Sequence, residues 1–119
     1  MNYAASLIFF VVLVAGCTQD LSLTLPPDAQ LKLTSHVHRS PTETCSIALG
    51  SPQYQELGKW LNQNRGGWQT TPATYVPGKV VSGPDFTLNF IGSMVIANFA
   101  SGQYSHSIVP TDYGFLQCK

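Results

Sequence analysis

Charged residues are scarce in this 119-residue chain, since only 10% of its residues are Asp, Glu, Lys or Arg. Globular domains usually carry about 25% charged residues. The six basic residues balance the six acidic ones, so the chain lacks the net positive charge that attracts polyanions. The composition predicts no nucleic-acid partner and a surface built largely from Ser, Thr, Asn and Gln.

Long apolar runs are also absent, because the longest mainly apolar stretch covers only the eleven residues 4–14. A helix that crosses a bilayer needs about 20 apolar residues, whereas the apolar region of a secretory signal peptide has roughly 7–15. The stretch therefore predicts a cleaved signal peptide and not a membrane-spanning helix.

The apolar stretch leads into Val14-Ala15-Gly16-Cys17, with small residues directly before a cysteine. This pattern, within residues 1–17, resembles the lipobox of bacterial lipoproteins. The resemblance implies that Cys17 receives a diacylglyceryl group, that the Gly16–Cys17 bond is cleaved, and that the new amino group is acylated. It also implies that the protein belongs to the cell envelope and is attached to the membrane through this lipid. Thr18 after the cysteine implies the outer membrane, on its periplasmic or surface face, if the bacterium is Gram-negative.

Cysteine is scarce as well, with three residues in the chain. With Cys17 carrying lipid, Cys45 and Cys118 remain as an even pair in an exported and hence oxidising setting. We predict that they form a disulfide, which would close a loop of ~73 residues and reduce the entropy of the denatured chain. Two free thiols are the alternative.

The domain organisation follows from removing the signal peptide, residues 1–16, which leaves 103 residues (119 − 16). That length suffices for one small domain with one core. Residues 17–29 contain Pro26-Pro27-Asp28 and little that could pack, so they predict a lipidated N-terminus and a flexible spacer. Residues 30–119 are predicted to form the folded domain.

One helix is predicted after Ser51-Pro52, because Ser caps free backbone N–H groups and Pro fits the first helical position. It should run to about Asn64 and stop at Gly66-Gly67. Leu57 and Leu61 fall on one face, so the helix is amphipathic and should pack on a sheet.

Strands are predicted where apolar and polar residues alternate, as in residues 31–38. Gly92-Ser93 has the form of a two-residue hairpin loop between residues 86–91 and 94–99. It sets the cross-strand pairs Phe86 with Phe99, Leu88 with Ala97 and Phe90 with Val95. A second turn at Ser101-Gly102 places His106 opposite Ala97, and residues 115–118 are a candidate last strand. The predicted fold class is α+β: a single small domain with one amphipathic helix packed on an antiparallel sheet of about five strands.

Motifs for chemistry are missing, since the chain contains no G-x-S-x-G motif and no glycine-rich phosphate loop. The sequence therefore predicts no catalytic residue, no metal site and no cofactor. His36 and His38 form an H-x-H pair that we interpret as solvated side chains on a strand. His106, between Ser105 and Ser107 with Asp112 six residues on, is predicted to fill a gap in the core with its ring nitrogens hydrogen-bonded.

A candidate partner-binding surface lies on the face of the sheet opposite the helix, where Ile91, Met94, Ile96 and Val109 should come together. They form either a second core layer or an exposed docking surface. The predicted function is a small binding module that grips another envelope protein as an inhibitor, an immunity protein or an assembly accessory. The alternative is a small periplasmic hydrolase or metal-dependent enzyme that uses His106 or the His36/His38 pair.

Overall fold

The computed structural model describes residues 17–118, which form one α+β domain with a single α-helix and an eight-stranded antiparallel sheet. In chain order the elements are β1 (Thr18–Gln19), β2 (Leu31–Val37), β3 (Ser40–Ile47), α1 (Pro52–Gln63), β4 (Trp68–Thr70), β5 (Lys79–Ser82), β6 (Phe86–Ile91), β7 (Met94–Phe99), β8 (Gly102–Ser107) and a 3-10 helix (Pro110–Tyr113). The sheet order is β1-β4-β8-β7-β6-β5-β2-β3.

The predicted number of strands, about five, is wrong. Three of the strands, β1, β4 and β5, have only two to four residues, too few to show an alternating pattern. The eight-residue β3 lies at the edge of the sheet, and its first five residues are exposed. A solvated edge strand needs no apolar alternation, so its sequence carries little signal. The predicted last strand at residues 115–118 does not form.

The helix forms where its capping residues predict it. The Ser51 hydroxyl accepts a hydrogen bond from the Tyr54 N–H at 3.2 Å, which satisfies one of the free donors of the first turn. The helix ends at Gln63, and the Asn64 N–H donates back to the Trp60 carbonyl. Leu57 and Leu61 are its buried residues, so its amphipathic face closes the core.

The core lies between α1 and one face of the sheet. Side chains from the middle strands alternate between this face and the other, as the pleat of a sheet requires. Fully buried members of the core include Leu57 from the helix and, from the sheet, Leu31, Leu33, Trp68, Val81, Leu88, Val95 and Ala97.

The β6–β7 hairpin has the predicted register. Phe86 pairs with Phe99, Leu88 with Ala97 and Phe90 with Val95. Gly92 has φ +52°, a conformation that costs glycine little because it has no Cβ.

The register predicted between β7 and β8 is wrong by two residues. The turn consists of Ala100 and Ser101, whose φ values are 50° and 65°, and His106 pairs with Val95 instead of Ala97. A two-residue displacement keeps every side chain on its face of the sheet. His106 therefore still points to the core side.

The segment predicted as a flexible spacer packs against the domain. β1 pairs with β4, and Leu21 and Leu23 are only 7% and 4% exposed. The Tyr54 hydroxyl donates to the Pro26 carbonyl, which fixes the segment to α1. Leu21, Leu23 and Leu25 alternate with polar residues, so an extended chain turns all three to one side, where Leu21 and Leu23 are buried and Leu25 is half-buried. The domain therefore includes residues 17–29 and does not begin at residue 30.

The predicted disulfide between Cys45 and Cys118 is confirmed, with the two Cα atoms 5.7 Å apart. It ties the edge strand β3 to the C-terminal segment. No helix within residues 17–118 is long and apolar enough to cross a membrane. The predicted signal peptide, residues 1–16, lies outside the described residues.

Candidate partner-binding surface

Three of the four residues predicted to bind a partner come together at one end of the sheet. Ile91 and Met94 are the pair next to the Gly92-Ser93 turn. The Ile108 N–H donates to the Ser93 carbonyl at 3.0 Å, which brings Val109 to the same turn. Met94 is 38% exposed and Val109 59%, while Ile91 is half-buried. These side chains present apolar surface to solvent.

Ile96, the fourth predicted residue, is only 1% exposed. It lies on the outer face of the sheet, where it forms one wall of a cleft of about 400 Å³ together with Tyr75 and neighbouring residues of the segment 71–75. The structure therefore places Ile96 in a small second core layer. Of the two predicted alternatives, burial holds for Ile96 and exposure holds for Met94 and Val109.

The cover over Ile96 is residues 71–78, named here the arm. Gln103 Nε2 donates to the carbonyl oxygens of Thr71 and Ala73, at 3.0 and 2.6 Å. At the other end, Asn89 Nδ2 donates to the Val76 carbonyl at 3.0 Å, and Asn89 Oδ1 accepts from the Gly78 N–H at 2.8 Å. Two amide side chains on the outer face thus fix a segment that has no regular secondary structure.

The arm adds Val76 to the exposed apolar residues. Val76 is 47% exposed, and its carbonyl is held by Asn89, which lies two residues before Ile91 on the same face of β6. Sequence reasoning missed Val76 because it lies in an irregular segment with no periodic pattern. We name Val76, Ile91, Met94 and Val109 the end patch.

The end patch is held in place by the segment that follows β8. In addition to the bond from Ile108 to Ser93, the Tyr113 hydroxyl donates to the Gly92 carbonyl at 2.8 Å. Val109 lies between these two attachments and precedes the 3-10 helix. The polar residues that border this face include Thr87, Asn98 and Ser105, and Asn98 Nδ2 donates to Thr87 Oγ1 at 3.3 Å.

His106 lies on the other face and is half-buried. Its Nε2 is 2.9 Å from the Gly66 carbonyl oxygen and its Nδ1 is 2.6 Å from the Ser107 carbonyl oxygen. Its ring centroid is 5.8 Å from that of Trp60 and 5.0 Å from that of Trp68. A neutral ring can donate to only one of these two carbonyl oxygens, and the residue paired with His106 is Val95 instead of the predicted Ala97.

The H-x-H pair does not share a strand. β2 ends at Val37, and His38 belongs to the following turn with φ 49°. His36 has its Nδ1 at 2.9 Å from the Gly78 carbonyl oxygen. Within residues 17–118, no group of three or more His, Cys, Asp or Glu side chains is arranged to hold a metal ion.

Cys17 is exposed and is followed directly by β1, so its sulfur is accessible at an edge of the sheet.

In comparisons with known proteins, no family model matches the chain, and neither a curated protein nor a solved structure matches it.

Proposed function

We propose that this protein is a lipid-anchored component of a bacterial envelope that binds another envelope protein, as an inhibitor, an immunity protein or an assembly accessory. The end patch is the observation that carries the proposal. It gathers apolar side chains from the arm, the β6–β7 hairpin and the segment after β8 at one exposed end of the sheet. An exposed apolar cluster beside polar residues is typical of a protein contact.

The attachments of the end patch favour binding because they reduce the ordering that a partner has to impose. Backbone bonds fix Val109 next to the turn, and Asn89 fixes the backbone of Val76. Immobilising a flexible side chain or loop weakens association by about 0.5–1.5 kcal/mol per side chain. A patch that is already held in place avoids much of this loss.

The anchor is the second part of the proposal and derives from the lipobox at Val14–Cys17. Cleavage before Cys17 removes residues 1–16, and acylation holds the domain at the membrane. One acyl chain binds a bilayer only marginally, and each buried methylene adds about 0.8 kcal/mol, so two or three chains give a stable attachment. Thr18 in the position after the cysteine favours the outer membrane of a Gram-negative cell.

Charged substitutions in the end patch test the binding function. Val109→Asp and Met94→Asp would bury a carboxylate in the interface, and we expect a loss of about 2 kcal/mol, roughly thirtyfold in affinity, for the envelope protein that wild type captures. Affinity capture from intact envelopes identifies that protein, and a binding titration with each variant measures the loss.

Leu49→Asp is the matched control, because Leu49 is 50% exposed but precedes α1, outside the end patch. It should bind like wild type. Ile96→Asp is unsuitable as a probe, since it would place a charge in a buried position and unfold the chain. Full binding by a Val109→Asp protein with a wild-type circular dichroism spectrum would contradict the proposed docking surface.

A further inference from the structure

The direct continuation of Cys17 into the edge strand β1 decides how the domain meets the membrane. We infer that the sheet edge formed by β1 and β4 lies on the bilayer surface, in contact with the lipid headgroups. The inference rests on the acylation of Cys17 in the proposed function. It adds an orientation that lipid attachment by itself does not imply, because a long flexible spacer between the lipid and the domain would leave the domain free to rotate.

No residue separates the lipid-bearing cysteine from the sheet. Thr18 pairs with Gln69 and Gln19 with Trp68, and consecutive Cα atoms are about 3.8 Å apart. The acyl chains on Cys17 have to enter the hydrocarbon layer. The exposed residues Gln69 and Thr70 must then lie within the headgroup region.

The segment after β1 is also fixed to the domain and cannot act as a flexible spacer. The Leu21 N–H donates to the Arg65 carbonyl at 2.8 Å, and the side chains of Leu21 and Leu23 are buried in the core. A Cβ built on Gly58 of α1 would lie 3.5 Å from the Leu25 side chain, so the packed segment continues along the helix. Releasing the anchor from the sheet would expose these leucines to water, which opposes release.

The chemistry of this edge suits a headgroup layer. Residues 18–20 and 65–70 contain only one acidic and one basic residue, Asp20 and Arg65, and the exposed remainder includes Thr18, Gln19, Gln69 and Thr70. Uncharged polar groups can exchange hydrogen bonds with ester and phosphate oxygens. The bilayer would also cover the free backbone groups of β1, which otherwise form an open edge for strand pairing.

The sheet order then sets the height of the other surfaces. β1 and β3 are the two edges of the sheet, and seven strand spacings of about 4.8 Å place β3 roughly 34 Å from β1. β7, which carries Met94, is the fourth strand from the membrane edge, at about 14 Å. The end patch would therefore meet a partner that lies close to the membrane surface.

Fluorescence quenching tests this orientation on the full, acylated protein in phosphatidylethanolamine and phosphatidylglycerol vesicles that contain a headgroup spin-labelled phospholipid. A thiol-reactive fluorophore is placed at Gln69→Cys on β4 or at Glu43→Cys on β3, both exposed positions. We expect quenching about threefold stronger or more at position 69, given the separation of the two edges. The matched control inserts a ten-residue Gly/Ser linker between Cys17 and Thr18, which should largely remove the difference.

Mass spectrometry of the same preparation separates the two ways of failing. If Cys17 is not acylated, the proposed anchor is wrong. If Cys17 is acylated and position 69 is quenched no more strongly than position 43, the inferred orientation is overturned while the anchor stands. Strong quenching at position 69 that the linker leaves unchanged would also overturn the direct coupling of lipid and sheet.

Discussion

His106 shows how a polar residue stabilises this domain from a half-buried position. Its ring lies against Trp60 and Trp68, and Trp60 in turn is 6.1 Å from Phe90, centroid to centroid. These contacts join the helix to β4, β6 and β8. The bond from His106 to the Gly66 carbonyl also holds the loop that ends α1. The residue therefore links the helix end to the sheet.

Replacing His106 with Ala should lower the free energy of unfolding by about 1.5–2.5 kcal/mol. The hydrogen bond from the ring N–H contributes about 1 kcal/mol, and the aromatic contacts add about 0.5–1.5 kcal/mol. Urea denaturation measures the change. His38→Asn is the control, because His38 is exposed with φ 49° and Asn tolerates that conformation. A His106→Ala protein within 0.5 kcal/mol of wild type, roughly the range of a neutral surface substitution, would contradict this account.

His36 and His38 do not form a pair, because His38 lies in a turn with its side chain exposed. Histidines two apart in a strand share a face, but the hairpin turn begins at His38, and the β2–β3 register shifts between Ser35 and His36. The pairing geometry, and not the residue types, decides that these two side chains do not act together.

The turns determine which strands pair and in what register. The β7–β8 turn holds Ala100 and Ser101 at positive φ, which is the backbone of a type I′ turn. Neither residue is favoured there, because a Cβ in the left-handed region crowds the following carbonyl. Pairing along six residues of each strand overcomes this local preference.

A better turn sequence should stabilise the hairpin. The double substitution Ala100→Asn and Ser101→Gly supplies the Asn-Gly pair that type I′ turns prefer, and we expect a gain of about 1 kcal/mol. Thermal unfolding followed by circular dichroism measures it. Ser93→Gly is the control, because Ser93 has no positive φ and extra glycine freedom in the unfolded chain brings no gain there. An unchanged or lowered melting temperature in the double variant would show that the turn is not strained.

The arm is an element without a regular pattern, and it has a large effect on the candidate surface. Its attachment through Gln103 and Asn89 covers Ile96 and exposes Val76. The same eight residues thus remove one predicted binding residue and supply another. The conformation of such a segment is determined by its contacts with a sheet and not by the secondary-structure propensity of its residues.

The C-terminal segment is attached to the rest of the molecule by side chains and by the disulfide. Gln53 Nε2 donates to the carbonyl oxygens of Phe115 and Gln117, at 2.8 and 2.7 Å. Lys79 Nζ donates to the Leu116 carbonyl at 2.6 Å, and the Leu116 side chain is fully buried. The Cys45–Cys118 disulfide adds a covalent bond between the C-terminal segment and β3, which are 73 residues apart in the chain.

Removing the disulfide should lower stability substantially. For the variant with Cys45→Ala and Cys118→Ala, we expect a loss of about 4 kcal/mol, because the cross-link restricts a long loop in the denatured state. That is a large part of the roughly 5–15 kcal/mol that stabilises a typical domain. Guanidinium denaturation of the variant, and of wild type with and without reductant, measures the loss. Equal midpoints for oxidised and reduced wild type would show that the cross-link contributes nothing.

Features that depend on neighbouring residues or on simple pairing rules were predictable without knowledge of the fold. Ser51-Pro52 specifies the start of α1, and Gly92-Ser93 with its flanking alternation specifies the β6–β7 register. Cys45 and Cys118, which were predicted to pair once Cys17 was assigned to lipid, form the disulfide. These signals are local or compositional, so they do not require knowledge of what packs where.

Which apolar residues are covered could not be predicted in this way, because it depends on contacts between distant segments. Ile96 is buried because residues 71–75 cross it, and Leu21 and Leu23 are buried because the N-terminal segment joins the sheet at β4. In each case the residues that come into contact are distant in sequence. The same cause produced the change in the candidate site, which keeps Ile91, Met94 and Val109, loses Ile96 and gains Val76. Exposure is a property of the assembled surface, and no window of the sequence contains it.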